Sequence, residues 1–140
     1  MATVSGVNYT KQTSTPADMV LPRDSHGRVR VMYDTYEASS LANPSTIQLF
    51  KIPIDARVID WKIWHDALGG STTLAFGDAD DPDRLHAAAS SSSAGIMVPV
   101  IGRIDTMAGY TYTAETLLSI TTGGGAATNT IHAWVMYVVD

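Results

Sequence analysis

Four carboxylates stand within six residues of this chain, in the stretch GDADDPDR from Gly77 to Arg84. Only 16% of the 140 residues are charged, so the stretch is a local concentration of acid. Oxygen ligands crowded into one loop could hold calcium, with Asp78, Asp80 and Asp83 as the ligands. The sixth-position glycine and twelfth-position glutamate of an EF-hand are absent, and calcium therefore stays an alternative reading.

The same stretch also fits the beginning of a helix. Asp81 followed by Pro82 matches an N-cap residue followed by proline at the first helical position, where the missing N–H costs nothing. Asp83 then falls in the first turn, where the helix dipole favours a carboxylate. The segment that follows, DRLHAAASSSS, is the part of the chain with helix-favouring composition. We therefore expect a capped helix here and no metal ion.

The histidines form no catalytic or metal-binding motif. His26, His65, His86 and His132 each stand alone, and the chain contains no HExxH, GxSxG or Walker-type loop. His65 and His132 lie among apolar neighbours in strand-like segments, where a hydrogen-bonded structural histidine is the common outcome. A cupin-like metalloenzyme would need two or three histidines to converge from adjacent strands. We expect no catalytic residue, no cofactor and no enzymatic activity.

The triple glycine in TTGGGAATN could suggest a phosphate loop. The stretch lacks the lysine and the helix that such a loop needs, and strand-like segments flank it on both sides. It therefore predicts a flexible turn between two strands.

Composition limits the classes of partner. Nine Lys and Arg against fourteen Asp and Glu give a net charge of -5, and the basic residues are scattered, which argues against a nucleic-acid partner. The chain has no cysteine, so it has no disulfide framework. Its start, MATVSGVNYTKQTSTP, lacks the basic and apolar regions of a signal peptide, and no apolar run approaches the ~18 residues that span a bilayer. We expect a soluble protein made in the cytoplasm, with no membrane partner.

The elements that must position these residues have the pattern of strands. Residues 28–140 contain seven or eight short segments, rich in β-branched and aromatic side chains and bounded by Gly, Pro, Asn or Ser. These segments are RVRVMYDTYE, STIQLFKIPI, ARVIDWKIWHDA, STTLAFGD, GIMVPVIG, GYTYTA, TLLSITT and NTIHAWVMYVVD. Their spacing predicts an all-β domain, a β-sandwich of the jelly-roll type. Residues 1–27 show no sustained periodicity, and we expect an extended N-terminal arm there.

Two of the strand-like segments carry apolar side chains where solvent-facing residues are expected. In NTIHAWVMYVVD, the face that carries His132, Trp134 and Met136 is as apolar as the opposite face. Such a strand is either central in its own domain or covered by another chain. Trp64 lies on the polar side of its strand, where an aromatic residue is either a lone surface residue or part of an interface. Trp64, His132, Trp134 and Met136 are therefore candidate interface residues, in a closed homo-oligomer.

Three longer segments carry a resemblance to a known class of protein. RVRVMYDTYEASSLANPSTIQLFKIP, DALGGSTTLAFGDADDPDRLHAA and LLSITTGGGAATNTIHAWVMYVVD resemble, in this order, the small all-β virion proteins of tailed bacteriophages, in particular capsid decoration or cement proteins. The resemblance covers about residues 28–140. It implies a jelly-roll-like subunit, often trimeric, that sits outside an icosahedral head and bridges major capsid subunits. A head-completion or tail component stays open.

Two functions of different classes follow. A decoration protein would stabilise the shell because it binds only the assembled state, and its partners would be the major capsid protein and further copies of itself. A carbohydrate- or calcium-binding jelly-roll module would instead hold an ion in the loop from Asp78 to Asp83. Its exposed aromatic residues, Trp64, Tyr110 or Tyr112, would stack on a sugar ring.

Overall fold

The structure is a computed structural model that describes residues 4–5, 7–20, 27–100 and 110–139. Within these ranges the chain forms a short helix followed by eight β-strands. The elements are α1 (Val7–Thr13), β1 (Arg30–Leu41), β2 (Ser45–Ile52), β3 (Arg57–His65), β4 (Thr73–Gly77), β5 (His86–Ser90), β6 (Gly95–Met97), β7 (Thr116–Gly123) and β8 (Ala127–Val138). The predicted all-β class is confirmed.

The strands form two antiparallel four-stranded sheets. Sheet A has the order β1-β8-β3-β6, and sheet B has the order β2-β7-β4-β5. The pairing is nested: β1 pairs with β8, β2 with β7, β3 with β6 and β4 with β5. Two further ladders, β3 with β8 and β4 with β7, join these pairs into sheets. This is the arrangement of a jelly roll, and the predicted β-sandwich is confirmed.

The hydrophobic core lies between the two sheets. In β3, Trp61 and Ile63 are fully buried, and their partners in β8, Val135 and Ala133, are buried as well. The Trp61 ring of sheet A lies 5.0 Å from the Phe76 ring of sheet B in an edge-on contact, so it connects the two layers. Large aromatic side chains contribute heavily to core stability because each one removes so much surface from water.

Two predicted elements are wrong. No helix follows Pro82: residues 86–90 are strand β5, which pairs with β4 through Leu74↔Ala89 and Phe76↔His86. Alanine has a high helix propensity, but propensity contributes little free energy per residue, and pairing with the backbone of β4 outweighs it. The described part of GYTYTA forms an isolated bridge between Thr111 and Arg57 and no strand.

The predicted extended arm contains a short helix, α1, which its sequence pattern did not predict. Helix α1 ends in a local hydrogen-bond network, in which the Ser14 hydroxyl donates to the Lys11 carbonyl at 2.8 Å and accepts from the Asp18 N–H at 3.0 Å. The Tyr9 and Met19 side chains are exposed. The arm is therefore not extended throughout, and its division from the sandwich at residues 27 and 28 stays a prediction.

No helix within the described ranges is both long enough and apolar enough to cross a bilayer.

Candidate interaction surface

Strand β8 lies in the middle of sheet A, with β1 on one side and β3 on the other. Its inward residues are buried, whereas His132 is exposed and Trp134 and Met136 are only partly buried. A central position therefore does not cover the outer side of this strand. The apolar outer side of β8 is therefore not explained by a central position within the chain's own domain.

The register of sheet A brings the four candidate interface residues onto one surface. Trp64 of β3 lies opposite His132 of β8, and Lys62 lies opposite Trp134. On the other side of β8, Tyr33 of β1 lies opposite Trp134 and Val31 lies opposite Met136. Residues opposite each other in neighbouring strands point to the same face. Trp64, His132, Trp134 and Met136 therefore share the outer face of sheet A.

Direct contacts hold these side chains in place. The Tyr33 hydroxyl lies 2.6 Å from His132 Nδ1, and the two rings stack with their centroids 6.2 Å apart. The Trp64 and Trp134 rings lie 6.3 Å apart at 45°. Cross-strand aromatic pairs of this kind stabilise a sheet and restrict the side chains to few rotamers. The surface is therefore ordered before any partner arrives.

Three further apolar residues lie on this surface that were not among the predicted interface residues. Val31, Tyr33 and Ile96 are all exposed, Tyr33 to 61%. Ile96 of the edge strand β6 lies opposite Trp64, so the apolar surface extends across all four strands of sheet A. We call the outer surface formed by these side chains the aromatic face; its residues are Val31, Tyr33, Trp64, Ile96, His132, Trp134 and Met136.

The signal for Val31 and Tyr33 was present but ambiguous. Both stand at alternate positions of RVRVMYDTYE, so they were expected to share one side of a strand. The other side of β1 carries Met32 and Tyr36, which are packed against the core. Since both sides contain large apolar residues, the alternation alone could not say which side is inward.

The acidic stretch forms a closed turn that Asp78 organises. Asp78 is 3% exposed, and its Oδ1 accepts hydrogen bonds from the N–H groups of Asp80 at 3.0 Å and Asp81 at 2.9 Å. Its Oδ2 accepts a hydrogen bond from Arg84 Nε at 2.5 Å. Asp81 contributes its backbone carbonyl, which accepts from the N–H groups of Asp78 and Arg84. The predicted N-cap role of Asp81 is wrong, because the capping side chain is Asp78 and the turn leads into a strand.

Gly77 is required for this turn to fold back on β4. A Cβ atom at Gly77 would collide with the Asp81 carbonyl oxygen and lie 2.6 Å from the Pro82 carbonyl carbon. Real Cβ atoms do not approach other heavy atoms this closely, so a side chain here would push the turn away from the sheet.

Two tyrosines pack beside the ion pair of Asp78 and Arg84. The Arg84 guanidinium lies 4.6 Å from the centre of the Tyr110 ring, and Tyr110 packs edge-on against Tyr112 at 4.7 Å. The hydrogen bond to Asp78 raises the pKa of Arg84. Burial raises the pKa of the Tyr112 phenol, and the nearby Asp78 carboxylate raises it further. Both residues therefore keep one charge state at neutral pH, and the cluster anchors the turn.

These contacts weaken the ion-binding and sugar-binding readings. The Asp78 carboxylate is already engaged with a guanidinium and two amides, and within the described ranges no three His, Asp or Glu side chains are grouped to hold a metal ion. The three aromatic residues proposed for sugar stacking are not brought together. Trp64 lies on the outer face of sheet A, whereas Tyr112 is buried and Tyr110 packs on Tyr112.

His65 and His86 are not part of the aromatic face, and His26 lies outside the described residues. His65 is buried, with its Nδ1 2.9 Å from the Asp66 carbonyl oxygen. His86 Nδ1 lies 2.6 Å from the Ala87 carbonyl oxygen, and its ring packs edge-on against Trp61. Both line a cavity of about 470 Å³ beside β5 and β6. The hydrogen bond of His65 agrees with the structural role expected for it.

Comparison with known proteins identifies the fold. No family model and no curated protein matches the chain. Among solved structures, a chain in the capsid asymmetric unit of cyanophage Pam1 is similar, with a TM-score of 0.70 and 22% identity over 91% of this chain and 97% of that one. The capsid of Ralstonia phage GP4 gives a TM-score of 0.60 and 23% identity over 81% of this chain and 86% of the other. A capsid of the Helicobacter pylori bacteriophage KHP30 gives 0.55 and 15%, over 79% and 86%. At these identities the likeness establishes a shared jelly-roll fold.

Proposed function

We propose that this protein is a structural component of a tailed-phage virion, a decoration protein that binds the outside of the head. The observation that carries the proposal is the whole-chain likeness to a chain of a phage capsid asymmetric unit. That match covers 97% of the other chain, so the similar protein is itself hardly longer than this sandwich. A small separate chain within a capsid structure fits a subunit that binds a shell. The resemblance of the three sequence segments to decoration proteins supports the same role.

The aromatic face supplies the binding surface in this proposal. Trp64, Trp134 and Tyr33 are large, rigid side chains that bury much surface with little loss of conformational freedom. A surface that recognises the major capsid protein only in the assembled lattice binds the shell and not its free subunits. Binding of this kind stabilises the shell by mass action and requires no chemical step.

Self-association is the second part of the proposal. The resemblance implies a trimer on the outer surface of the capsid, and a closed oligomer would present several copies of the aromatic face to the lattice at once. Binding through several linked sites increases the overall affinity without any new contact.

Purified heads that lack this protein provide the test. We expect the added protein to sediment with the heads and to raise the temperature at which they release their DNA, and electron microscopy should then place its density on the outside of the shell. Trp64→Ala should weaken this binding by at least about tenfold, as expected for an aromatic anchor of an interface. Leu117→Ala is the matched control, because Leu117 lies on sheet B and both side chains are 37% exposed.

Light scattering on the purified protein tests the trimer separately. A mass of three chains that persists on dilution is the expected result. Density at the portal vertex or the tail would replace decoration with head completion or a tail role, whereas failure to bind any part of the virion would overturn the proposal.

A further inference from the structure

The rim of the aromatic face carries carboxylates. Glu37 of β1 lies opposite Thr130 of β8. Asp66, which is exposed and follows the end of β3, donates its backbone N–H to the Thr130 carbonyl oxygen. Asp60 lies opposite Met136 at the other end of the face. Two acidic residues therefore lie at one end of the patch of aromatic rings and one lies at the other end. Lys62, opposite Trp134, is a cation at its centre.

Lys62 indicates how this face accommodates a positive charge. Its Nζ lies 5.7 Å from the centre of the Trp134 ring, within the range of a cation–π contact. The rings of Trp64 and Tyr33 are more exposed and are free to receive a second cation from outside. Tryptophan is the best ring for such contacts, and arginine is the cation that stacks on it most often.

We infer that the partner of the aromatic face is a protein surface that presents arginine side chains. This inference rests on the proposed function and names the chemistry of the partner at the same face. The guanidinium groups would stack on Trp64 and Tyr33. At the rim they would pair with Glu37 and Asp66, whose carboxylates accept the paired N–H donors of arginine.

A second copy of this chain packed face to face fits less well. Such a pair would bring the carboxylate rims together, and like charges in close contact across an interface are unfavourable. The chain as a whole carries a net charge of -5, which adds to this repulsion and favours encounter with a basic surface. Self-association in the proposed oligomer would then use another surface.

The three tryptophans allow a direct test on the intact protein. The indole N–H signals in an NMR spectrum are recorded while a hexa-arginine peptide is added at low salt. We expect the signals of Trp64 and Trp134 to move, whereas that of Trp61, which is fully buried, should stay in place. The shifts should be lost at high salt, because screening weakens exposed charge contacts. Signal shifts of equal size at all three indoles would overturn the inference. So would shifts that are as large with a hexa-lysine peptide as with hexa-arginine and that Glu37→Lys does not change.

Charge reversal tests the same inference with heads as the partner. Glu37→Lys and Asp66→Lys should each weaken binding to heads roughly three- to tenfold at low salt, the range expected when an exposed ion pair becomes a repulsion. Glu115→Lys is the control, because Glu115 lies next to sheet B and pairs with Lys51 at 3.1 Å. Heads that bind the wild type and Glu37→Lys equally well would overturn the arginine partner and leave the decoration role intact. If heads bind neither the wild type nor Glu37→Lys, the decoration role is contradicted. The NMR titration with hexa-arginine then decides whether the aromatic face binds arginine.

Discussion

The two outer faces of this sandwich lie on the same backbone plan but carry different side chains. On sheet A, Tyr33 faces Trp134 across a ladder of two strands. On the equivalent ladder of sheet B, Thr46 faces Thr121. The polar face of sheet B and the turn after Gly77 together line a cavity of about 290 Å³. Sheet B is thus covered in part by its own chain, whereas sheet A presents aromatic rings to the solvent.

This difference separates the demands of folding from other demands on the sequence. A jelly roll requires apolar side chains on the inward side of each sheet. The outward side of sheet B is largely threonine, glutamine and serine, although Leu117 is also exposed there. Sheet A could have done the same. A jelly roll does not need aromatic residues on its outward side, and a contiguous exposed apolar patch is the usual mark of an interaction surface.

The largest difference between inward and outward residues is expected at two tryptophans of β3. Trp61→Ala should lower the free energy of unfolding by about 3–5 kcal/mol, because it leaves a cavity between the sheets. Trp64→Ala should lower it by less than about 1 kcal/mol, because this side chain packs on one side only. Urea denaturation of both variants measures the two values. If Trp64→Ala were as costly as Trp61→Ala, the aromatic face would be a requirement of folding after all.

A somewhat smaller loss in the free energy of unfolding is expected when Asp78, in the turn beside sheet B, is replaced. Asp78→Ala should cost about 3 kcal/mol, because it leaves the Arg84 guanidinium, whose side chain is 20% exposed, without its carboxylate partner. Asp81→Ala should cost less than about 0.5 kcal/mol, since Asp81 supports the turn through its backbone carbonyl. Denaturant unfolding of the two variants makes the comparison. A calcium-dependent rise in Tm that Asp83→Asn abolishes would contradict the anchoring role assigned to this turn.

The smallest effect is expected from removal of the arm. Deletion of residues 2–20 should change the free energy of unfolding by less than about 0.5 kcal/mol, because the described side chains of this segment are mostly exposed. Circular dichroism should retain a β-type spectrum, and the fluorescence of Trp64 and Trp134 should not change if the arm leaves the aromatic face open. An aggregated truncation would mean that the arm protects one of the two sheets.

The strands were predictable wherever one side of a segment was clearly polar. In β3, Ile59, Trp61 and Ile63 alternate with Asp60 and Lys62, which predicts one apolar side and places Trp64 on the other. In the structure Trp61 and Ile63 are buried and Trp64 is exposed, whereas Ile59 is only partly buried because the register shifts beside it. In β1 both sides carry apolar residues, and the same reasoning could not choose between them. The segment HAAAS led to a wrong prediction because alanine has a high helix propensity. Its pairing with β4 depends on residues distant in the sequence, which local composition does not describe.

Local backbone geometry explains how far the amino-acid sequence alone reaches. The two-residue period of a strand depends on neighbouring residues only, and it correctly grouped His132, Trp134 and Met136 on one side of β8. The arrangement of that side into a surface with Trp64 and Tyr33 depends on which strands lie beside β8 and in which register. Tyr33 and His132 are 99 residues apart along the chain, yet their side chains meet at 2.6 Å. Such a contact follows from the pairing of β1 with β8, and a shift of β8 by one residue in that register would turn His132, Trp134 and Met136 toward the core.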